Sequence, residues 1–318
     1  MKAQRGAAIL TAMLTVVLVA TLAASSLWQQ WRGVEIEAAE RSRTQSAWVL
    51  IGALDWARLI LREDGRKGGA DHLGEPWAVP LAQARLSTFL AADRSNAQAA
   101  EDDTQEAFLS GQMVDLQSRL NVANLVLDSK IDETSLKAFK RLFKQLNLPE
   151  SELTALADKL RLAQDPHLDA KATAEAPLQP QTVDQLVWLG LSPRSLAVLR
   201  PFVTLLPVRT PVNLNTAPAE VVYACVESLA LADAHHLVDA RSASPLTTLA
   251  EAGKAAGKAD AFFNEQLYNV TTRYFEVRGN LTVNQTTVQE QSVVQRDGME
   301  VKTLTRNRGV APAIAPLQ

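Results

Sequence analysis

The spacing of apolar positions changes character along the chain, and each change predicts a different element. From Ala7 to Trp31 the residues AAILTAMLTVVLVATLAASSLWQQW include no charge. At about 1.5 Å rise per residue such a helix spans roughly 37 Å, enough to cross a bilayer core. Lys2 and Arg5 precede it, and Arg32, Glu35, Glu37 and Glu40 close it. A basic stub before an apolar helix predicts a cytoplasmic N-terminus and an exported bulk. The pattern then becomes amphipathic through Trp48, Ile51, Leu54, Trp56, Leu59 and Leu61, with no proline before Pro76. One helix is predicted from about Ala7 to Arg62. Asp64-Gly65-Arg66-Lys67-Gly68-Gly69 is a charged, Gly-rich breaker that should end it.

Asp71–Ala78 reads as a loop, since Pro76 forbids helix across it. Residues 91–107 are polar and read as a loop as well. A strand is predicted at Gly111–Leu116. Asn121 and Asn124 then bracket a turn or cap the helix that follows. Leu136, Phe139, Phe143 and Leu146 trace a helical stripe within Asp132–Leu162, interrupted at Leu148-Pro149-Glu150. Residues 164–181 hold three prolines and read as a loop.

From Thr182 to Asp260 the pattern predicts several short helices. Thr182 caps Val183–Leu189, which Gly190 ends, and Ser192-Pro193 starts the next helix. Thr216 is a predicted N-cap, with Pro218 in the first turn, where its missing donor costs nothing. After Asn269 the period becomes two. Tyr274–Val283, Thr286–Gln295 and Glu300–Arg306 are predicted strands, joined at Asn284-Gln285 and Arg296-Asp297-Gly298. The tail from Gly309 reads as disordered.

The chemistry offered by the composition is sparse. Charge is near balance, with 32 basic and 35 acidic residues and a net charge of −3, which argues against bulk electrostatic capture of nucleic acid. Cys225 is the one cysteine, so no internal disulfide forms, and its apolar surroundings predict a buried thiol. No G-x-S-x-G, H-E-x-x-H, C-x-x-C or calcium-loop pattern occurs, so the chain is not expected to be an enzyme. His72 and His167 have no second ligand at motif spacing. His235 and His236 are adjacent and point about 100° apart on a helix.

Gly6 lies between the basic stub and the apolar helix, which itself continues amphipathically. That arrangement resembles a type IV prepilin or pseudopilin. Ala23-Ala24-Ser25 also offers a small-x-small site at which a signal peptidase would cut instead. The motifs Glu75-Pro76-Trp77, Asp115-Leu116-Gln117, Arg119-Leu120-Asn121 and Val212-Asn213-Leu214-Asn215-Thr216-Ala217-Pro218-Ala219-Glu220-Val221 resemble the K class of minor pseudopilins of bacterial type II secretion. Within that family motif, Glu75, Pro76, Trp77, Asn213, Asn215, Thr216 and Pro218 are the matching residues.

The resemblance implies an α+β, pilin-like fold with a long N-terminal transmembrane helix, an antiparallel sheet and a large inserted all-helical domain of two SAM-like subdomains. It divides the chain into a leader (1–6), an N-terminal helix (7–62, of which 7–31 cross the membrane), a pilin-like α/β part (63–124), an inserted helical domain (125–266), C-terminal pilin-like strands (267–308) and a tail (309–318). It implies cleavage by prepilin peptidase after Gly6 and N-methylation of Ala7. Thr11 occupies the position where most pilins carry Glu. The implied partners are the I- and J-class minor pseudopilins and the major pseudopilin, at the tip of a periplasmic pseudopilus anchored in the inner membrane. Some family members bind calcium in the helical domain, but no ligand set maps onto residues here. A second resemblance, of Leu214–Arg241 to a helix-hairpin-helix module of membrane-anchored DNA uptake receptors, is opposed by the glycine-free turn at Ser228–Ala232. Lys and Arg are also absent from Val212 to Ala240. No nucleic-acid partner is therefore expected.

Overall fold

A computed structural model describes residues 5–87, 107–165, 176–258, 264–283 and 286–310. The expected turn at Asn284-Gln285, His167 and the tail beyond Val310 lie outside them, as does most of the loop expected at 91–107. Helix α1 runs Arg5–Lys67. The chain forms two compact units, Met1–Ala53 and Leu54–Gln318.

In the first unit α1 presents its apolar residues outward, from Ile9 to Ile36. The helix is long and apolar enough to cross a membrane. Trp28 and Trp31 stack near the end of the apolar run with ring centroids 5.3 Å apart, the placement of an interfacial aromatic anchor.

In the second unit the last turns of α1 lie on a five-stranded antiparallel sheet. Its strands are β1 (Leu81–Arg85), β2 (Ala107–Asp115), β9 (Tyr274–Val283), β10 (Thr286–Asp297) and β11 (Glu300–Val310), in the order β1-β2-β9-β10-β11. Leu54, Ala57 and Leu61 recur at helical spacing and meet Phe275, Val277, Val294 and Val301, which alternate on the strands. Trp77 closes this core edge-on to Phe275, at 5.1 Å. Helix α1 ends as Gly68 takes φ +63, a left-handed cap open to glycine.

Between β2 and β9 sits a helical block with its own core. It comprises α2 (Glu133–Gln145), α3 (Glu150–Gln164), α4 (Pro193–Leu199), α5 (Ala219–Cys225), α6 (Leu231–Ala243) and α7 (Leu249–Ala255). Short bridges β3 (Leu120–Asn121) with β6 (Val203–Thr204), β4 (Val126–Leu127) with β5 (Lys130–Ile131), and β7 (Val212–Asn213) with β8 (Tyr268–Asn269) tie it together. The Asp132 carboxylate caps α2, accepting from the Ser135 amide at 2.8 Å. Residues 183–189 form a 3-10 segment, ended by Gly190 at φ +105.

Several sequence expectations are corrected. Strand β1 was not anticipated, because Leu-Ala-Gln-Ala-Arg has little β propensity and is held by pairing with β2. Strand β2 begins at Ala107 rather than Gly111, which overlaps the end of the expected loop. Arg296 and Asp297 belong to β10 rather than to the turn. Pro76–Ala78 form one 3-10 turn. Thr216 does not cap α5: Pro218 is the N-cap residue, and the Thr216 hydroxyl is used elsewhere.

Candidate functional site

The residues brought together by the fold form a buried polar junction where the helical block leaves and rejoins the sheet. Its centre is Asp115, at the end of β2. The carboxylate accepts four hydrogen bonds: from the Gln117 amide at 2.7 Å, the Thr272 hydroxyl at 2.6 Å, the Thr216 hydroxyl at 2.6 Å and the Asn213 side-chain amide at 2.9 Å. Burial pushes its pKa above the ordinary carboxylate value, and the bonds from Thr216, Thr272, Asn213 and Gln117 act against that shift. Four donors on one carboxylate keep the buried oxygens satisfied.

A second carboxylate, Asp71, lies beside it. It accepts from the Thr272 amide at 2.7 Å and from the Arg296 guanidinium, and its backbone carbonyl accepts from Asn213 at 3.0 Å. Arg296 also pairs with Asp64 in the last turns of α1, donates to the Thr272 carbonyl at 2.9 Å and stacks over Phe275 at 5.1 Å. Burial raises the Asp71 pKa, and Arg296 is the chief opposing influence. Glu75 belongs to the same cluster. It accepts from the His72 amide at 2.9 Å and from the Trp77 indole at 2.8 Å, which fixes the Trp77 ring in the core. Burial raises its pKa too, with the charges of Asp64 and Asp71 adding to the effect.

Side-chain amides supply the rest of the junction by imitating strand pairing. Gln117 accepts from the Arg273 amide at 2.8 Å and donates to the Pro211 carbonyl at 2.9 Å. Asn124 accepts from the Thr210 amide at 3.0 Å and donates to its carbonyl at 2.8 Å. Asn215 does the same to Leu246, at 2.9 and 2.8 Å. Asn121 accepts from the Leu206 amide and donates to the Val208 carbonyl. Each amide satisfies a donor and an acceptor of a loop that has no neighbouring strand. Arg241 adds guanidinium bonds to the carbonyls of Leu214 and Ala217, and burial lowers its pKa to about 10.

The junction therefore collects Glu75, Trp77, Asn213, Asn215 and Thr216 in one place, with Pro218 opening α5 behind them. Pro76 starts the 3-10 turn that aims Trp77. Gly6 and Ala7 stand in the first turn of α1, in the other unit, and Thr11 in its second turn, where its hydroxyl donates to the Ala8 carbonyl at 2.9 Å. Sequence reasoning missed Arg296 and Thr272. The available signal for Arg296 was its parity: it shares a strand face with Ser292 and Val294, both buried.

Asp64, Asp71 and Glu75 bring carboxylate oxygens within 4.8 Å of one another. A calcium ion takes about six to eight oxygens. Here Arg296 already supplies positive charge to two of the three carboxylates, so these residues do not fit a resident calcium. Among the described residues no other group of His, Cys, Asp or Glu is gathered so closely, in the helical block or elsewhere. Cys225 is buried, and burial pushes its thiol up to about 12, which makes it an inert packing residue.

Residues 118–208 match a family model for the first domain of type II secretion system (T2SS) protein K, and residues 212–270 match a second model described as T2SS protein K. Both models describe protein K of the type II secretion system, and the chain is similar to that family over residues 118–208 and 212–270. The two matched regions meet at the loop that Gln117, Asn121 and Asn124 hold. A protein K relative from Pseudomonas aeruginosa, named "Type II secretion system protein K", is 28% identical, with 97% of this chain and 94% of the relative aligned. The crystal structure of the GspK-GspI-GspJ complex from the enterotoxigenic Escherichia coli type 2 secretion system contains a similar fold. Its TM-score is 0.64 at 18% identity, covering 85% of this chain and 98% of that one. In this chain the polar junction is thus the seam between a pilin-like sheet and the helical block that the family models match.

Proposed function

We propose that this protein is a non-catalytic minor pseudopilin that sits first in a short periplasmic pseudopilus and supports export of folded proteins. The observation that carries the reading is the continuity of one helix, α1, from a prepilin-like leader through an apolar span into the head that bears the family's helical block. The leader is cut between Gly6 and Ala7, the new amine is methylated, and α1 holds the chain in the inner membrane with its head in the periplasm. The related complex of GspK with GspI and GspJ supports partners of the I and J classes here. The major pseudopilin and prepilin peptidase complete the set.

Thr11 supports the first position. In an apolar helix bundle, a Glu there would pair with the N-terminal amine of the subunit ahead, and burying either charge alone is costly. A subunit with nothing ahead of it has no amine to meet. Its Thr11 hydroxyl is instead satisfied by the Ala8 carbonyl.

The deciding experiment combines intact mass of the membrane-extracted protein with co-purification of the I and J partners. A chain beginning at Ala7 and bound to both is expected. A soluble periplasmic chain beginning near Ser25 would overturn the reading.

A DNA-binding role has the weaker case. The turn into α6 offers phosphate no glycine. Its first-turn carboxylate, Asp233, accepts from the Ala230 amide at 2.9 Å, so that amide is not open to a phosphate, and it pairs with Lys258, which neutralises the cation at the turn.

A further inference from the structure

We propose that the outer edge of β11 is a docking site for an extended, carboxylate-bearing strand of a neighbouring minor pseudopilin. This rests on the assembly reading above and adds the surface through which assembly occurs. Strand β11 is the last in the sheet order, and its far side is an open row of backbone donors and acceptors. The opposite edge, β1, is five residues long and irregular in register between Leu81 and Ala84. Strand β11 is 11 residues long, and residues 302–309 are all exposed.

Exposed edges are normally guarded by charged side chains, bulges or proline. Here the guards are displaced. Arg306 and Arg308 both bond the buried carboxylate of Glu290 on β10, at 2.6 and 2.9 Å from their Nε atoms, which draws them across the sheet and away from its rim. The register shift opposite Val293 and Val294 leaves Leu304 outside the ladder, so the regular run is Thr305–Val310. Nearer the turn, Arg58 donates to the Val301 carbonyl at 3.1 and 2.8 Å and closes that part of the edge.

Beside the closed part lies a groove of about 580 Å3, lined by Leu59 and Arg62 of α1 and by Met299 and Lys302. Leu59 and Met299 are 53% and 55% exposed. A strand laid on β11 would continue into this groove and cover both. Charge selects the occupant. Two copies of β11 pairing antiparallel about Asn307 would set Arg306 against Arg308 at both ends, and like charges directly opposed are unfavourable. Arg306 and Arg308 share the one carboxylate of Glu290 and so keep a net positive charge, and the groove sets Arg58, Arg62 and Lys302 against Asp55 and Glu300, again net positive, so a partner strand carrying Asp or Glu is the favoured occupant.

Hydrogen exchange on the full-length protein tests this, alone and in its complex with co-expressed I- and J-class partners. Alternate amides from Thr303 to Gly309 should slow by about tenfold or more in the complex, with those of β1 unchanged. A complex that forms while the β11 amides exchange as in the free protein overturns the inference and leaves the assembly reading intact. Failure to form any complex overturns the assembly reading and the inference with it. Slowing that appears with rising concentration of this chain alone assigns the edge to a second copy and also overturns it.

Discussion

Asn213 donates its side-chain amide to the Asp115 carboxylate at 2.9 Å, across 98 residues of chain. One residue stands where the sheet hands over to the helical block, the other on a bridge that leads back. Because Asp115 accepts from four groups on three separate segments, its removal strands several buried donors at once. Asp115→Ala should therefore cost about 3–5 kcal/mol, against about 1–3 kcal/mol for Asn213→Ala. Urea denaturation of the detergent-solubilised protein checks the ranking. Equal losses would show that the carboxylate is not the hub.

Arg296 clamps Asp64 and Asp71 together, so Arg296→Ala leaves two carboxylates close and unneutralised. The expected loss near neutral pH is about 3–5 kcal/mol. The Asp71 carboxyl already titrates above its ordinary value because it is buried, and loss of Arg296 removes the influence that holds it down. A raised folded pKa means the native state binds the extra proton, so stability falls as pH rises through that window and recovers as pH falls. The deficit of the variant should accordingly shrink on acidification from neutrality toward the ordinary carboxylate range. Chemical denaturation at several pH values measures it, and a pH-independent deficit would contradict it.

Asp132 behaves in the opposite sense. Partial burial raises its pKa, but the Ser135 amide and Arg209 act against burial and its pKa is lowered overall. Its contribution is present above the ordinary carboxylate pKa and is lost as pH falls through the depressed value. Asp132→Ala should cost about 1 kcal/mol near neutral pH, as an N-cap does, and nothing in strong acid. Comparing the two proteins' unfolding midpoints across pH tests this.

Gly65 and Gly52 separate two uses of glycine on the same helix. A Cβ at Gly65 would stand 2.2 Å from the backbone oxygen of Gly298, in the turn between β10 and β11, whereas a Cβ at Gly52 meets nothing within 4 Å. Gly65→Ala should destabilise by about 1–3 kcal/mol, and Gly52→Ala should be neutral or stabilise by up to about 1 kcal/mol. Thermal unfolding of the two variants decides it.

Thr11→Glu tests the first position in the filament. The variant should still assemble with its partners, and cross-links from its head should find neighbours on one side only. Cross-links placing subunits on both sides of the wild-type protein would remove the assignment.

The strongly periodic elements were legible in the sequence, and the polar junction was legible only in part. Helix α1 and strands β9 to β11 follow from unbroken patterns, since a long apolar run and a sustained period of two each admit one reading. Asn213, Asn215, Thr216 and Trp77 stood out as motif residues. The sequence does not say that Thr216 turns from capping α5 to bonding Asp115, because that choice depends on a partner 101 residues away. Strand β1 was hidden for a similar reason, as its residues are extended only by virtue of their neighbour. Arg296 looked like a turn residue because Asp297-Gly298 follows it, and its burial depends on Asp64 and Asp71 arriving from elsewhere.

Strands β2 and β9 are direct neighbours, with Asp115 opposite Phe275 in their register. Topologically, the whole helical block is therefore one loop closing an ordinary antiparallel pair. Closing a disordered loop of that length carries an entropic cost that grows only with the logarithm of its length, and a folded block that already holds its two ends together removes most of it. A block that folds first would present β2 to β9 with little further loop-closure cost. The same topology also makes the block modular. Its size and surface can change over evolutionary time without disturbing the sheet, so long as the few amides and carboxylates at the seam are kept.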